Sequence, residues 1–501
     1  MSSGRRRIAL CAVALVLFCA CTSGDDGSGA SGTAAGTVAT GKPMSLSVFE
    51  YNVEYAGDET TDAVIADVNA DVVGVLESYN RLPEMAQNAG YPYYNVSLQI
   101  LSKYPILEPS GAEGRYAFIE VRPGQVVAFF NIHLDYVNYG PRALRHGKSV
   151  EDVIASENEV RTSSLDVPLR LMGDLIDRGY PVFFTGDHNE PSNLDWTQAT
   201  AQTRKEVTGA VPWPVSVAIL GAGFRDTYRE IHPDPVAEPG ITHPGVGDRI
   251  DYVYAAGPSQ TLDSQLVGEV GGRDVDLAYE PWTSDHRAVV STFDVSPARM
   301  QTMVAVSAAL LTRGDPLVVS YHDPSATGSV AVVAAGGDAD AAAVTEDLTG
   351  ANGSFDVDTA SLAPGGYDAV LRTGDGAELS RVGMWVRDPN AVIDVTTDKP
   401  TYAAGEPIVV SWTGGPANRW DWIGIYEADR SDPKVDSYLD WNYTGLHASG
   451  TVPPAVEGSV TMDETAQGGP WPLPPGRYVA HYLVTDRYRS IGSASFTVEG
   501  S

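Results

Sequence analysis

Residues 180–193 read YPVFFTGDHNEPSN, and how this stretch folds decides the first half of the chain. A short run rich in Val and Phe stops abruptly at Gly186, Asp187, His188 and Asn189. Short β-branched and aromatic runs bounded by Gly, Asn and Asp read as strands. The end of a strand in a rigid sheet can present polar side chains to a cleft. The same design recurs along the chain. LSVFEYNV carries Asn52, DVVGVLE ends on Glu77, QVVAFFNIHL carries His133, and RIDYVYAA carries Asp251 near its start. Between these runs, segments 63–69 and 150–178 have the apolar spacing of helices. Residues 44–297 therefore read as one mixed α/β domain.

The polar residues at these strand ends form a chemical kit. Asn52, Glu77, Asp187, Asn189, Asp251 and Asp285 offer hard oxygen ligands, and His133, His188 and His286 add imidazoles. Oxygen donors of this kind suit Mg²⁺, with Mn²⁺ or Ca²⁺ as alternatives, better than zinc. The sequence has no HExxH helix, phosphate-cradling glycine loop or GxSxG elbow. A carboxylate-held cation beside histidine is suited to phosphate ester hydrolysis. The cation neutralises phosphate, a carboxylate handles water, and an imidazolium meets developing charge. Taken singly, each residue also has a plain structural reading. Asn52 and Glu77 could end strands, His133 could be a core histidine, and Asp187 with Asn189 could form an Asx turn. Asp251 could pair with Arg249, and Asp285 with His286 could cap a turn.

The order of the segments is more specific than any one of them. EYNVEY, VLES, NIHL, GDHNEPSN, RIDYVY and SDHR resemble the successive motifs of the endonuclease/exonuclease/phosphatase (DNase I-like) superfamily, with ILSKYPI from Ile100 as a seventh segment. The resemblance implies a four-layered α/β sandwich, two packed mixed sheets flanked by helices. It implies Glu77 as principal metal ligand, assisted by Asn52 and Asp285. It implies that His133 contacts phosphate, Asp187 orients or deprotonates water, and Asn189 supports the phosphate oxygens. Asp251 would fix the tautomer of His286, which would bind phosphate or act as acid or base. His188 departs from the pattern; it could be an extra ligand, but strand alternation turns it away from its neighbours. The loop DYVNYGPRALRH, from Asp135, could face substrate through Arg142 or Arg145, or be an ordinary solvated loop.

The remaining sequence sets the context. Arg5, Arg6 and Arg7 precede an apolar run at 8–20, shorter than the roughly 20 residues of a membrane span. All three cysteines, Cys11, Cys19 and Cys21, lie in this region. Residues 1–21 resemble a lipoprotein signal with Cys21 as the lipidated residue; a plain secretory signal is the other reading. The Gly/Ser/Thr/Ala-rich stretch 22–43 suits a flexible tether. The expected location is the outer face of a bacterial cell membrane, or the secreted pool, as a monomer. A net charge of −32 argues against tight, non-specific nucleic-acid binding but not against a phosphoester substrate.

From about Pro297 the helical periodicity fades and a repeat appears. GDPLVVSYHDPSA from Gly314 parallels GEPIVVSWTGGPA from Gly405, and LAPGGYDAVL from Leu362 parallels LPPGRYVAHYL from Leu473. Two all-β, immunoglobulin-like sandwich modules are expected at 298–390 and 391–501. Trp412, Trp420, Trp422, Tyr426 and Trp441 could fill a sandwich core or form a strip for carbohydrate or cell-envelope contact. The functional expectation is a metal-dependent phosphoester hydrolase. The alternative is an inactive surface adhesion or scaffold protein on the same fold.

Overall fold

The computed structural model describes residues 38–500, except 419–420, 430–432, 434–437, 446–455, 465, 467–470 and 486. Cys21, the signal and most of the tether therefore lie outside the described residues, as does Trp420. Among the described residues no helix is long and apolar enough to cross a membrane.

Residues 44–297 fold as the expected four layers. One sheet has seven strands, with Met44–Asn52 central between Ala288–Val295 and Val72–Leu76. In the other, Gln125–His133, Val182–Asp187 and Asp251–Ala256 lie side by side. Alternation builds the layers. Leu46 and Val48 face Phe129, Phe183 and Val253 between the sheets. Phe49 and Tyr51 face outward onto Val64 and Ile65 of helix Glu59–Val68 and Met85 of helix Leu82–Ala89. Phe130 and Phe184 face Leu171, Met172 and Leu175 of helix Asp166–Asp177. Both faces of these strands are covered, which is why their sequences are nearly continuous apolar runs.

The segment expected to be helical at 150–178 is broken. It forms Val150–Val160, a 3₁₀ turn Thr162–Leu165, and Asp166–Asp177. Pro168 lacks an N–H and its ring would clash with the carbonyl of residue 164 in a continuous helix. The other helix starts four residues before the expected 63, because Asp58 and Thr61 form a reciprocal N-cap.

The two repeats fold alike. Gly365–Arg372 lies between Ser329–Ala334 and Glu378–Arg387, and Gly476–Leu483 lies between Trp422–Glu427 and Ser490–Glu499. In each, the tyrosine of the Pro-Gly-x-Tyr motif donates its hydroxyl four residues back: Tyr367 to Ala363 O at 2.9 Å, Tyr478 to Pro474 O at 2.5 Å. This resembles the tyrosine corner of immunoglobulin-like sandwiches. Trp412, Trp422, Tyr426 and Trp441 are buried. Hydrogen bonding does not stop at residue 297: Met303–Val306 pairs with Ile106–Pro109, so one sheet runs from the α/β sandwich into the first β-module.

Candidate active site

The even-numbered residues of Met44–Asn52 point between the sheets, so Asn52 reaches that space at the strand's end. His133 and Asp187 are register partners on adjacent parallel strands, and Asp251 partners Asp187 from the antiparallel side. Pairing and alternation together bring four polar side chains to one end of the inter-sheet layer. Gly186 permits this: a Cβ there would lie 2.0 Å from the Ile132 carbonyl oxygen.

Asn52 Nδ2 donates to Glu77 Oε1 at 3.1 Å and to Asp187 Oδ2 at 3.2 Å. Asp187 Oδ1 accepts the Asn189 backbone N–H at 2.8 Å, and His133 Nε2 lies 3.4 Å from Asp187 Oδ2. Asn189 Nδ2 reaches both His133 Nε2 and Leu134 O at 3.1 Å. His286 Nδ1 lies 3.0 Å from both oxygens of Asp251, which directs Nε2 toward Asp187 at 3.7 Å and Asp285 at 3.8 Å. Arg249 does not compete for Asp251; it pairs with Asp195 and Asp226.

Charge follows this geometry. Burial works against a charged His286, but Asp251 and Asp187 push its pKa up to about 10. Burial likewise opposes charge on Asp187, yet His286 and His133 hold its carboxyl well below the usual range. His133 is raised by Asp187 against the same burial. The two aspartates thus favour the charged form of His286, and the two histidines favour the charged form of Asp187. His188 is different: burial lowers its pKa to about 3, and it packs against Phe184, Tyr252 and Tyr254 as a core ring.

Three further residues join the site that the sequence reading did not select. Glu54 Oε2 accepts the Asp285 N–H at 2.9 Å, and the His243 ring packs against His286 at a tilt, with ring centroids 4.4 Å apart. Glu50 lies fully buried beneath, its pKa pushed well above the carboxylate range by burial and then by Asp251 and Asp187. Glu54 was open to detection as an acid two residues beyond Asn52. His243 sits in an irregular loop, THPGVGD, where no periodicity marks it. Arg142 and Arg145 are exposed on the short helix Gly140–Arg145, and Arg145 donates to the Glu206 carbonyl.

The donor set fits a hard divalent cation. Glu54, Glu77 and Asp285 crowd the mouth, and burial, then Asp285, raise the pKa of Glu54. Such crowding of carboxylates is relieved by a bound cation. His243, Asp285 and His286 also offer ligand atoms within 4.8 Å of one another. The loops carrying Glu54 and Glu77 are strained. Glu54, Tyr55 and Ala56 have φ of 51°, 44° and 81°, and Glu77 and Tyr79 have 56° and 46°. Each non-glycine residue in that region costs about 1 kcal/mol, so surrounding contacts must hold it.

The profile of the Endonuclease/Exonuclease/phosphatase family matches residues 50–286. An uncharacterized Caenorhabditis elegans protein, F14F9.5, is 31% identical over 242 residues, covering 41% of this chain and 75% of that one. The chain belongs to the endonuclease/exonuclease/phosphatase family. It is by type a phosphoester hydrolase. Among solved structures, it is similar to a family member from Beutenbergia cavernae at 18% identity, covering 68% of this chain and 99% of that one, TM-score 0.33. It is also similar to a mannosyl-6-phosphatase of Bacteroides thetaiotaomicron at 14% identity, covering 50% of this chain and 99% of that one, TM-score 0.28.

Proposed function

We propose that this protein is an exported, lipid-tethered phosphoester hydrolase that requires a divalent cation, Mg²⁺ first and Mn²⁺ or Ca²⁺ as alternatives. The observation that carries the reading is the His286 ring, held by Asp251 and facing Asp187 beside the acids Glu54, Glu77 and Asp285. Glu77, with Asn52 and Asp285, would hold the cation, which would supply charge neutralisation of the phosphate oxygens. His286 Nε2–H donates to a non-bridging phosphate oxygen, while Asp251 fixes the ring so that Nδ1 stays protonated. Asp187 orients the attacking water and takes its proton. His133 and Asn189 steady the phosphate from the side of the Gln125–His133 strand. Water attacks phosphorus in line, the ester P–O bond breaks, and the departing alkoxide takes a proton from bulk water, to which Asp187 returns the one it accepted. No covalent enzyme intermediate forms.

The acidic surface disfavours long polyanions, so compact or membrane-borne phosphoesters suit it better. The anchoring of Cys21 predicts that Cys21→Ala moves the protein from the membrane pellet to the soluble fraction; a variant still in the pellet contradicts the tether. For the reaction, a chromogenic phosphodiester is hydrolysed with Mg²⁺, after EDTA, and after Mn²⁺ add-back. Loss with EDTA and recovery on add-back are expected. Full activity in EDTA contradicts metal dependence, and no activity under any condition favours the scaffold alternative.

A further inference from the structure

The C-terminal β-module reaches the active site. Its aromatic cluster, Trp422, Tyr426, Trp441 and Tyr443, packs against Val137 in the loop that follows His133. Arg487 lies in the turn that closes the hairpin of Gly476–Leu483 with Ser490–Glu499. Its backbone is hydrogen-bonded on both sides: Arg487 N–H donates to Val484 O at 3.1 Å, and the Trp422 indole N–H donates to Arg487 O at 3.3 Å. From it, Arg487 Nη2 donates to the Tyr55 carbonyl at 2.9 Å, and the guanidinium carbon lies 5.0 Å from the centre of the Tyr79 ring.

The two residues it touches share a second property. Tyr55 N–H and the Tyr79 hydroxyl both donate to Glu77 Oε2, at 3.1 and 3.3 Å. The Ala56 N–H also donates to the Glu77 carbonyl at 2.8 Å. Tyr55 and Tyr79 are among the residues with left-handed backbones. Two strained loops thus hold one carboxylate, and one side chain from a module hundreds of residues away clasps both loops.

We propose that Arg487 is a positioning residue of the metal site, clamping Tyr55 and Tyr79 so that Glu77 presents its carboxylate to a divalent cation. This rests on the reading of Glu77 as a metal ligand. The C-terminal module is then part of the catalytic apparatus and not only an appended binding unit. An arginine suits the role because its planar fork donates to a carbonyl while its face lies on an aromatic ring. Outer groups that orient a ligand typically change metal affinity by about 10- to 100-fold.

The test is calorimetric titration of the full chain with Mn²⁺ alone, with thermal melting as the control for folding. Arg487→Ala is expected to bind Mn²⁺ about tenfold or more weakly at an unchanged Tm. Arg477→Ala, in the same module, is expected to bind as the unaltered protein does. Glu77→Gln is expected to lose the site. If Glu77→Gln binds normally, the metal reading itself fails. If Glu77→Gln loses the site but Arg487→Ala keeps full affinity, the clamp alone is overturned. An equal loss in Arg477→Ala also overturns it, because the effect would be a general loosening of the module. Should Arg487→Ala melt early, Arg487→Lys carries the test. Its ammonium can serve the carbonyl or the ring but not both, so weakened binding is expected and unchanged affinity overturns the clamp.

Discussion

The contact between His286 and Asp251 sets the chemistry at the scale of single residues. With Nδ1 committed to Asp251, Nε2 is the ring nitrogen turned toward Asp187 and Asp285. Asp251→Asn leaves the shape nearly intact but removes the charge that keeps the ring protonated and correctly oriented. Turnover should fall between about a hundredfold and ten-thousandfold, with a smaller change in KM. A kcat within a factor of a few of the parent's would sink this role. Gly186 makes a separate prediction. Gly186→Ala forces a Cβ onto the Ile132 carbonyl and should destabilise the fold by about 3 kcal/mol, read as a lowered Tm. At this scale much of the site was legible, because Asn52, His133, Asp187 and Asp251 stand at or beside the ends of strands that apolar runs reveal. His243 was not legible, since its place beside His286 comes from the path of an irregular loop. Glu50 was hidden differently: it reads as a polar interruption of a strand, and only the pairing of the sheets shows that it is buried under two aspartates.

The joint between sheet and β-module shows how whole elements couple. Strand Ile106–Pro109 carries Glu108, whose Oε1 accepts from Asn95 Nδ2 at 2.6 Å and from the Ala309 N–H at 2.9 Å. Burial pushes its pKa up to about 6, against those two hydrogen bonds. The folded state therefore binds the proton more tightly than the unfolded chain does. Its contribution to stability is full below the unfolded pKa and is lost as pH rises through about 6. The loss amounts to about 2 kcal/mol. Glu108→Gln keeps an acceptor for Asn95 and Ala309 without the charge. It should melt higher than the parent at pH 7.5 and equally at pH 4; a variant that melts lower at both pH values contradicts the account. The two β-modules were legible from their Pro-Gly-x-Tyr repeats, whose tyrosines make the same backbone bond in both. The strand pairing across residue 297 was not, because a composition shift marks where periodicity changes and not where hydrogen bonding ends. The 150–178 helix was read as one piece because the apolar spacing continues through the break near Pro168.

Taken whole, the molecule combines the proposed phosphate site with a strongly acidic composition. The net charge of −32 should repel anionic substrates at low salt. Screening shortens this repulsion, the Debye length being about 10 Å at 0.1 M salt. KM for a small anionic phosphodiester should therefore fall as salt rises from about 20 to 200 mM; a rise in KM would show that local positive charge at the site dominates capture. The contact of the last module with the catalytic loops belongs to this scale too, and no motif announced it: Arg487 sits in an ordinary hairpin turn 432 positions from Tyr55. In the proposed reaction His286 and Asp187 face one phosphate. The most direct measurement is steady-state hydrolysis of bis(p-nitrophenyl) phosphate, with Mg²⁺, by the parent protein, Asp187→Asn and His286→Ala, each checked for folding by its Tm. The account predicts that both folded variants lose about a hundredfold or more in kcat. Folded variants that turn over like the parent would contradict it.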